Sequence, residues 1–367
     1  MSQADVIVIG GGIAGVSAAA ELARGGARVI LLEGETQLGY HSTGRSAAIF
    51  IRNYGNATLR ALNAAAEPIF ENPGDICEGP LLSPRGELMI AREDELPVLE
   101  AYLDGATGIE RLTGAQAGEI VPILRTDCIA GAMIEHGAQG IDVDRMLQGY
   151  ARFLRSHGGQ IITGAQVGDI RDDGALWQVE TTQGRFAAPI LINAAGAWAD
   201  EVALRAGVAQ IGLQPMRRSA AIIPAPAGHD CEKWPVFGSI SETWYAKPEA
   251  GKLMVSPADE DPVDPHDAWA DDMVLAEGLH RFEQAVTVPV TRVEHSWAGL
   301  RSFVSDRTPV AGFVPEARGF FWLAGQGGYG VQTAPALSRL TAALVLGQKP
   351  ELAPEVIAAL APERFVQ

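Results

Sequence analysis

Three glycines near the start of the chain have the spacing of a phosphate-binding turn. Gly10, Gly12 and Gly15 form the pattern G-x-G-x-x-G, and Glu33 follows 23 residues after Gly10. In this motif the first glycine makes a tight turn, the second lets the backbone approach a pyrophosphate, and the third lets a helix pack on a strand. A carboxylate at the position of Glu33 accepts hydrogen bonds from an adenosine ribose. The pattern therefore predicts a dinucleotide-binding site.

The elements around these glycines have the order that the motif requires. Residues 5–9 (DVIVI) form a β-branched apolar run typical of a buried parallel strand. Residues 16–24 are rich in alanine and indicate a helix, which Gly25 and Gly26 end. Residues 27–33 (ARVILLE) indicate a second buried strand. This β-α-β order disfavours the alternative, a glycine-rich turn without a ligand.

The stretch GYHSTGRSAA at residues 39–48 favours FAD over NAD. An NAD domain usually continues with further β-α units, whereas here the chain leaves the nucleotide fold. Hydroxyl groups in the stretch can donate to pyrophosphate and ring oxygens, and its arginine can offset phosphate charge or lie against the flavin. Its two alanines leave room for the ring. The expected contacts are Ser42, Thr43, Arg45, Ser46, Ala47 and Ala48.

Composition limits the class of protein. The 367 residues carry a net charge of −17 with no basic stripe, so nucleic acid and anionic membrane surfaces are not expected as partners. Cys77, Cys128 and Cys231 lie far apart and show no zinc-ligand spacing, so neither a metal site nor a disulfide framework is predicted. No apolar run reaches the ~18 residues of a membrane span, and the first residues lack a secretory signal. A cytoplasmic location is expected.

Patterns along the rest of the chain alternate between helix and strand. They predict helices over 59–70, within 93–125, over 142–157 and over 334–346, a strand over 84–91, and short strands between 160 and 193. The charged segment 256–272 is predicted to be a solvated surface loop.

Seven motifs spread along the chain resemble those of one flavoprotein group. HSTGRSAA (41–48), NAAGAWAD (193–200) and GQGGYGVQT (325–333) resemble the D-amino-acid oxidase superfamily. PLLSPR (80–85), QPMRRSA (214–220), HSWAGLRSF (295–303) and FFWLAGQGGYG (320–330) resemble its D-arginine or broad D-amino-acid dehydrogenase branch. The resemblance extends to about residue 346. It implies non-covalent FAD, because the motif around His41 differs from those of relatives that attach flavin through a histidine.

The resemblance implies an α/β fold with two interleaved parts. A Rossmann-like FAD-binding domain would be assembled from residues 1–50, 142–206 and 295–367. An α+β substrate domain, mostly an antiparallel sheet, would be formed by residues 51–141 and 207–294. Changes in composition along the chain fall near these boundaries.

Further cofactor-binding residues follow from the resemblance. The glycines of 325–332 would turn backbone N–H groups and a helix N-terminus toward the pyrimidine end of the flavin, although a simple turn into the helix is the alternative. The residues assigned in this way are Ile13, Ala14, Val167, Ala195, Gly196, Trp198, Gly325, Gly328, Tyr329, Gly330, Val331, Gln332 and Thr333.

Oxidation of an amino acid requires an anchored carboxylate, a deprotonated amine and a Cα–H directed at the flavin. By resemblance, Arg301 is the first carboxylate anchor and Arg218 the second, while Arg217 is structural. The planar guanidinium suits this role because it binds two oxygens at once. The alternatives are an Arg301 that pairs with Asp306 at the surface and an Arg218 that is solvated.

The remaining substrate contacts are also implied by resemblance. Tyr245 would lie over the substrate carboxylate and Tyr54 on a mobile loop covering the pocket, with plain packing as the alternative for both. Glu87 would accept the distal cation of D-arginine or D-lysine, unless it is an exposed strand residue. Ile49 stands where the branch has a histidine, which favours larger hydrophobic D-amino acids. No general base is identified.

The predicted reaction is oxidative deamination of D-amino acids with cationic or hydrophobic side chains. A hydride passes from Cα to flavin N5, and the imino acid hydrolyses to a 2-keto acid and ammonia. One alternative is oxidation of a 2-hydroxy acid or of a secondary amine such as sarcosine. Another is a non-catalytic flavoprotein subunit. Dioxygen and a quinone both remain as electron acceptors.

Overall fold

The glycine-rich turn follows Val6–Ile9, the third strand in the spatial order of a six-stranded sheet. The structure is a computed structural model that describes residues 2–365. The spatial order of the sheet is Gln160–Ile162, Val29–Leu32, Val6–Ile9, Ile190–Asn193, Phe320–Ala324 and Val310–Phe313. All neighbouring strands are parallel except the last pair. This is the Rossmann-like sheet that the sequence predicts.

Nine α-helices lie within residues 2–365. They are Ile13–Arg24, Ala57–Glu71, Leu96–Leu103, Gly114–Ile120, Val143–Ser156, Ala199–Arg205, Asp272–Ala285, Gly330–Val345 and Pro354–Leu360. Short 3-10 helices are Gly74–Ile76, Glu93–Glu95, Thr126–Cys128, Gly196–Trp198 and Pro362–Phe365. Helix Ile13–Arg24 packs between Val143–Ser156 and Gly330–Val345, and their apolar faces form the largest core cluster. None of these helices is long and apolar enough to cross a membrane.

A nine-stranded sheet forms the other large layer. Its strands are, in spatial order, Asp261–Pro262, Gln214–Ile223, Lys252–Ser256, Tyr245–Glu249, Val236–Ser239, Glu87–Ala91, Gly131–Glu135 and Ile109–Leu112. The ninth strand, His295–Phe303, pairs along almost the whole of Gln214–Ile223. All pairs are antiparallel except Val236–Ser239 with Glu87–Ala91, so the mostly antiparallel sheet is confirmed.

Two small sheets complete the fold. A four-stranded sheet has the order Ser2–Gln3, Gly184–Ala188, Trp177–Thr181 and Val167–Asp172. A three-stranded sheet has the order Ile49–Phe50, Gln139–Ile141 and Leu82–Pro84. The second of these anchors the end of the GYHSTGRSAA stretch, because Ile49 pairs with Gly140.

Local signals predict several elements well and miss others. The helix predicted over 59–70 is confirmed as Ala57–Glu71, and it begins where the Asn56 side chain accepts a hydrogen bond from the Leu59 N–H at 3.0 Å. The strand predicted over 84–91 is divided by a turn at Gly86, whose φ is +79°. The region 93–125 was predicted as helices, yet it also contains the strand Ile109–Leu112.

The predicted division into two domains stays a prediction. The six-stranded sheet draws its strands from 1–50, 142–206 and 295–367. Two contacts nevertheless cross the predicted boundaries. The strand His295–Phe303 belongs to the nine-stranded sheet, and helix Ala57–Glu71 packs on Gly330–Val345.

The segment 256–272, here called the strap, is only in part the solvated loop that its charges suggest. Asp264 and Asp267 are exposed, whereas Ser256, Ala258 and Asp259 are buried. Acidic side chains of the strap pair with arginines of other elements: Asp261 with Arg217 at 2.7 Å, Glu260 with Arg218 at 3.0 Å, and Asp267 with Arg45 at 2.5 Å. The sequence does not predict the buried part, because the arginines that neutralise these acids lie far away in sequence.

The third glycine of the turn generates a testable prediction. A Cβ on Gly15 would lie 2.0 Å from the carbonyl oxygen of Gly10, so a methyl group there must push the helix off the strand. We expect Gly15→Ala to lower the free energy of unfolding by about 1–3 kcal/mol. Denaturant unfolding measures this. Gly137→Ala, at a position with no other atom within 4 Å, is the control and should change it little.

Candidate active site

A single cavity of about 540 Å³ is lined both by the glycine-rich turn and by Arg301. Its walls come from the six-stranded sheet, from residues 39–48 and from the nine-stranded sheet. A concave site of this size, with a few polar groups among apolar walls, is typical of small-molecule binding.

The turn presents bare backbone to this cavity. Gly10 has φ +114°, and a Cβ there would lie 2.2 Å from the Ala194 carbonyl oxygen, so only glycine fits. A Cβ on Gly12 would meet only Thr43 Oγ1, at 3.3 Å, and would fill the space in which a phosphate is expected. The N-cap residue Gly12 has no side chain to cap the following helix, and the first turn holds no acidic residue. The Ile13 N–H donates to the Thr43 hydroxyl oxygen at 3.0 Å, and the remaining N–H groups and the positive end of the helix face an anion site.

Glu33 is held in place for hydrogen bonding to a ribose. Its carboxylate lines the cavity and accepts hydrogen bonds from the N–H of Gly11 at 2.5 Å and of Glu35 at 2.7 Å. Burial raises the pKa of Glu33, against the lowering effect of these two N–H groups. The second strand of the β-α-β unit thus ends in a fixed acceptor beside the turn.

Most residues predicted to bind FAD line the cavity. They are Gly10, Gly12, Ile13, Ala14, Glu33, Ser42, Thr43, Arg45, Ser46, Ala47, Ala48, Val167, Ala195, Gly196, Trp198, Gly328, Gly330, Val331 and Gln332. The wide strip of glycine and alanine along this wall fits a flat ring system, and the phosphate cradle and Glu33 fit a dinucleotide. The side chains present therefore fit FAD.

Four of the predicted cofactor residues lie behind the cavity wall. They are Gly15, Gly325, Tyr329 and Thr333. Tyr329 packs its ring on that of Tyr54, with centroids 4.8 Å apart. Thr333 donates its hydroxyl hydrogen to the Tyr329 carbonyl inside the helix. These four residues shape the wall from behind, because their side chains, or the atoms packed closely against them, make contacts within the fold.

Arg45 has a different role from the predicted one. Its guanidinium donates to the carbonyl oxygens of Tyr40, Ala268 and Ala298 at 3.2, 2.8 and 3.1 Å, and pairs with Asp267. Four N–H groups are thereby engaged, and the charge is compensated. An arginine held in this way ties elements together and has little left to offer a phosphate.

Arg301 is the free cation of the cavity wall. Among residues 2–365, no carboxylate lies within 4.0 Å of its guanidinium. Its Nη1 donates to the Tyr54 hydroxyl at 3.5 Å. The alternative pairing with Asp306 is wrong, because Asp306 accepts a hydrogen bond from Arg364 at 2.8 Å. A Cβ on Gly328 would lie 2.9 Å from the guanidinium, so this glycine makes room for it.

Arg218 also lines the cavity, but its charge is already paired. It is 8% exposed and donates to the Asp259 carbonyl at 2.8 Å and to the Glu260 carboxylate at 3.0 Å. The alternative of a solvated arginine is therefore wrong. Its role as the second anchor stays a prediction, and a carboxylate ligand there must compete with Glu260.

Tyr54 links Arg301 to a carboxylate that sequence reasoning missed. The Tyr54 hydroxyl lies 3.4 Å from Glu242 Oε2, and burial raises the pKa of this phenol. Glu242 lines the cavity from a turn between two strands and has φ +50°, a strained conformation for glutamate. No local signal in the sequence marks it. Tyr245 lines the same cavity.

Glu87 is a buried acid, which excludes the exposed-strand alternative. It is 6% exposed and lines the cavity. Burial raises the pKa of Glu87 to about 8, and the neighbouring carboxylates of Glu135 and Glu242 add to the rise. The Tyr102 hydroxyl lies 3.4 Å from Glu87 Oε2. Tyr102, which the sequence did not single out, also lines the cavity.

Apolar side chains also line this cavity. Lining side chains of this kind are Ile49, Ile51, Met89, Val236, Ile240, Trp244 and Met254. Among residues 2–365, no group of three or more histidine, cysteine, aspartate or glutamate side chains could hold a metal ion.

The raised pKa of Glu87 makes stability depend on pH. In the folded chain Glu87 keeps its proton up to a pH of about 8, whereas in the unfolded chain it releases the proton above its ordinary pKa of 4.5. The bound proton therefore stabilises the folded state at low pH, and this stabilisation is lost as the pH rises through about 8. We compare the free energy of unfolding of the Glu87→Gln apoprotein with that of the parent apoprotein. We expect this difference to favour the variant more at pH ~9 than at pH ~5, by on the order of 2 kcal/mol. Urea unfolding at both values measures the difference.

The matched control is Glu119→Gln, at an exposed helical position. It should show the same stability difference from the parent protein at both pH values. If the stability difference between Glu87→Gln and the parent protein were also the same at both pH values, Glu87 would not be a buried, protonated acid.

Comparison with known proteins places the chain in a family. Residues 5–344 match the family DAO, described as FAD dependent oxidoreductase. The chain is 28% identical to glycine oxidase of Geobacillus kaustophilus over 93% of its own length and 92% of that protein. The crystal structure of glycine oxidase from this organism superposes with a TM-score of 0.86 at 24% identity, covering 100% of both chains.

Two further proteins are similar at lower sequence identity. The crystal structure of L-proline dehydrogenase from P.horikoshii has a TM-score of 0.86 at 21% identity, covering 99% of this chain and 98% of that one. Sarcosine dehydrogenase of Homo sapiens is 26% identical over 95% of this chain and 40% of that protein. The family match, the shared fold and the phosphate cradle together lead to one assignment: the chain belongs to the DAO family of FAD-dependent oxidoreductases.

Proposed function

We propose that the protein oxidises D-amino acids to imino acids, which hydrolyse to 2-keto acids and ammonia. The observation that carries the proposal is the guanidinium of Arg301 in the cavity wall, which has no carboxylate of residues 2–365 within 4.0 Å. A cation without a carboxylate partner in such a site is suited to a substrate carboxylate, which it can bind through two parallel hydrogen bonds. Bound FAD supplies the hydride acceptor.

The side chains of the cavity position the substrate. Arg301 fixes the carboxylate, and Tyr54, 3.5 Å from the guanidinium, adds a hydroxyl donor on the same side. Tyr245 and Arg218 complete this wall, Arg218 as a weaker contact because Glu260 holds it. No side chain is assigned as a base, so the substrate enters as the free amine or a cavity water removes its proton.

The side chain of the substrate extends toward Glu87. We infer that a cationic side chain binds there as an ion pair, with its aliphatic part against the apolar walls. A nearby cation lowers the pKa of a buried carboxylic acid. At neutral pH the protonated acid also tolerates an apolar side chain. Glu87 and Ile49, both at the cavity wall, thus support a broad range of D-amino acids.

A second candidate is oxidation of a secondary amine. Its support is the similarity to sarcosine dehydrogenase of Homo sapiens, since sarcosine is a secondary amine. Release of ammonia distinguishes the two reactions, because a primary amine yields it directly.

The preference for the D-enantiomer rests on the resemblance of the RRSA and WAGLR motifs, and a panel of D- and L-amino acids tests it.

The carboxylate anchor gives the main prediction. We expect Arg301→Lys to lower kcat/KM for D-amino acids by about 100-fold or more, since an ammonium cannot make the bidentate contact. Anaerobic mixing with substrate, followed by flavin absorbance, measures the rate of bleaching. FAD content should stay as in the parent protein.

The comparison variant is Arg218→Lys, which removes a guanidinium that Glu260 already compensates. Its loss of kcat/KM should stay below about tenfold. Wild-type bleaching in the Arg301 variant would remove the basis of the proposed function.

The buried acid gives a prediction about selectivity. For the parent protein, the ratio of kcat/KM for D-lysine to that for D-leucine should increase as the pH rises through about 8, because only ionised Glu87 attracts the cation. Glu87→Gln should lower this ratio by about tenfold at high pH and remove its dependence on pH. Steady-state kinetics from pH ~6 to ~9 measure it, and an unchanged ratio would exclude a cation subsite at Glu87.

A further inference from the structure

The strap contacts the cofactor-binding stretch 39–48 directly. Asp267 of the strap pairs with Arg45 at 2.5 Å and accepts a hydrogen bond from the Tyr40 hydroxyl at 3.2 Å. The Ala268 carbonyl accepts a hydrogen bond from Arg45 at 2.8 Å. Tyr40 and Arg45 both line the cavity. A segment outside the Rossmann-like sheet therefore fixes two side chains of the cofactor wall.

Arg45 joins this contact to two further elements. Its Nη1 donates to the Ala298 carbonyl at 3.1 Å, within the strand His295–Phe303. Its Nε donates to the Tyr40 carbonyl at 3.2 Å, within its own stretch. The Arg45 carbonyl in turn accepts a hydrogen bond from the Trp297 indole at 3.3 Å. The Arg45 guanidinium thus donates hydrogen bonds to three elements: residues 39–48, the strand His295–Phe303 and the strap.

Apolar packing adds to the polar contact. Ala268 of the strap belongs to a small buried cluster with Ala197, Ala298 and Leu300, against which Trp198 packs. Ala197 and Trp198 line the cavity. The strap therefore packs against residues 195–198 as well as against residues 39–48.

We propose that the strap is part of the cofactor-binding apparatus and that Asp267 is a positioning residue for it. By holding Arg45, Asp267 keeps residues 39–48 folded against the cavity and slows release of FAD. The inference is independent of the substrate, so it stands or falls separately from the proposed amino-acid oxidation.

The direction of the change in FAD affinity on loss of the Asp267 carboxylate distinguishes a positioning role from charge masking alone. Asp267 is ionised at neutral pH, because the hydrogen bond from Arg45 lowers the pKa of its carboxyl group. If the carboxylate only masked the charge of Arg45, its removal would strengthen the attraction of Arg45 for cofactor phosphates. If it holds the stretch in place, its removal weakens FAD binding.

The test compares two charge-neutralising substitutions in the strap. Asp267→Asn removes the ion pair with Arg45. Asp264→Asn makes the same charge change at an exposed position whose carboxylate makes no hydrogen bond or ion pair with residues 2–365. FAD is titrated into each apoprotein and binding is followed by flavin fluorescence. We expect the Kd for FAD to rise about fivefold in Asp267→Asn and less than twofold in Asp264→Asn.

Two further measurements decide the interpretation. Asp267→Glu should restore most of the affinity for FAD, since it restores the charge. The unfolding temperature of the Asp267→Asn apoprotein should equal that of the parent apoprotein. Tighter or unchanged FAD binding in Asp267→Asn would overturn the proposal. A lower apoprotein unfolding temperature with no rescue by glutamate would also overturn it, because the contact would then be a general structural one.

Discussion

The pairing of His295–Phe303 with Gln214–Ile223 is the constraint on which the rest of the site depends. The register places Arg218 opposite Gly299 and Met216 opposite Arg301, so both arginines project from the same face. The same strand accepts hydrogen bonds from Ser42 at the Leu300 carbonyl and from Gly327 at the Ser302 carbonyl. One strand thus holds the substrate anchor and two cofactor loops in a fixed relation.

The distribution of charge around this strand makes one arginine different from the others. The acidic strap neutralises Arg45, Arg217 and Arg218, each with a carboxylate within 4.0 Å. Arg301 receives no such partner from residues 2–365. An arginine without an acid in a cavity wall retains its attraction for an anionic ligand, whereas a paired one must first lose its partner. The large acidic excess of the chain is therefore compatible with a site for carboxylates.

The cavity wall also carries a buried acid, Glu87. Glu87 faces Glu135 across the strand pair, and the carboxylate of Glu135 is satisfied by the Arg52 N–H and the Asn53 amide at 3.0 and 2.7 Å. Within residues 2–365, the carboxylate of Glu87 accepts a hydrogen bond only from the Tyr102 hydroxyl, at 3.4 Å. The less satisfied of the two acids lines the cavity, which is the arrangement expected of a group that binds a ligand.

The sequence by itself determined the dinucleotide turn, its flanking strands and the helix that follows, because these depend on neighbours within about 30 residues. Motif resemblance also placed Arg301, Tyr54, Tyr245 and Glu87 at one cavity. Only the tertiary structure decided which charges are compensated: Asp267 for Arg45 and Glu260 for Arg218. It alone revealed Glu242 and Tyr102 at the wall. The physical reason is that charge pairing and burial arise between segments far apart in sequence, and local patterns carry no record of them.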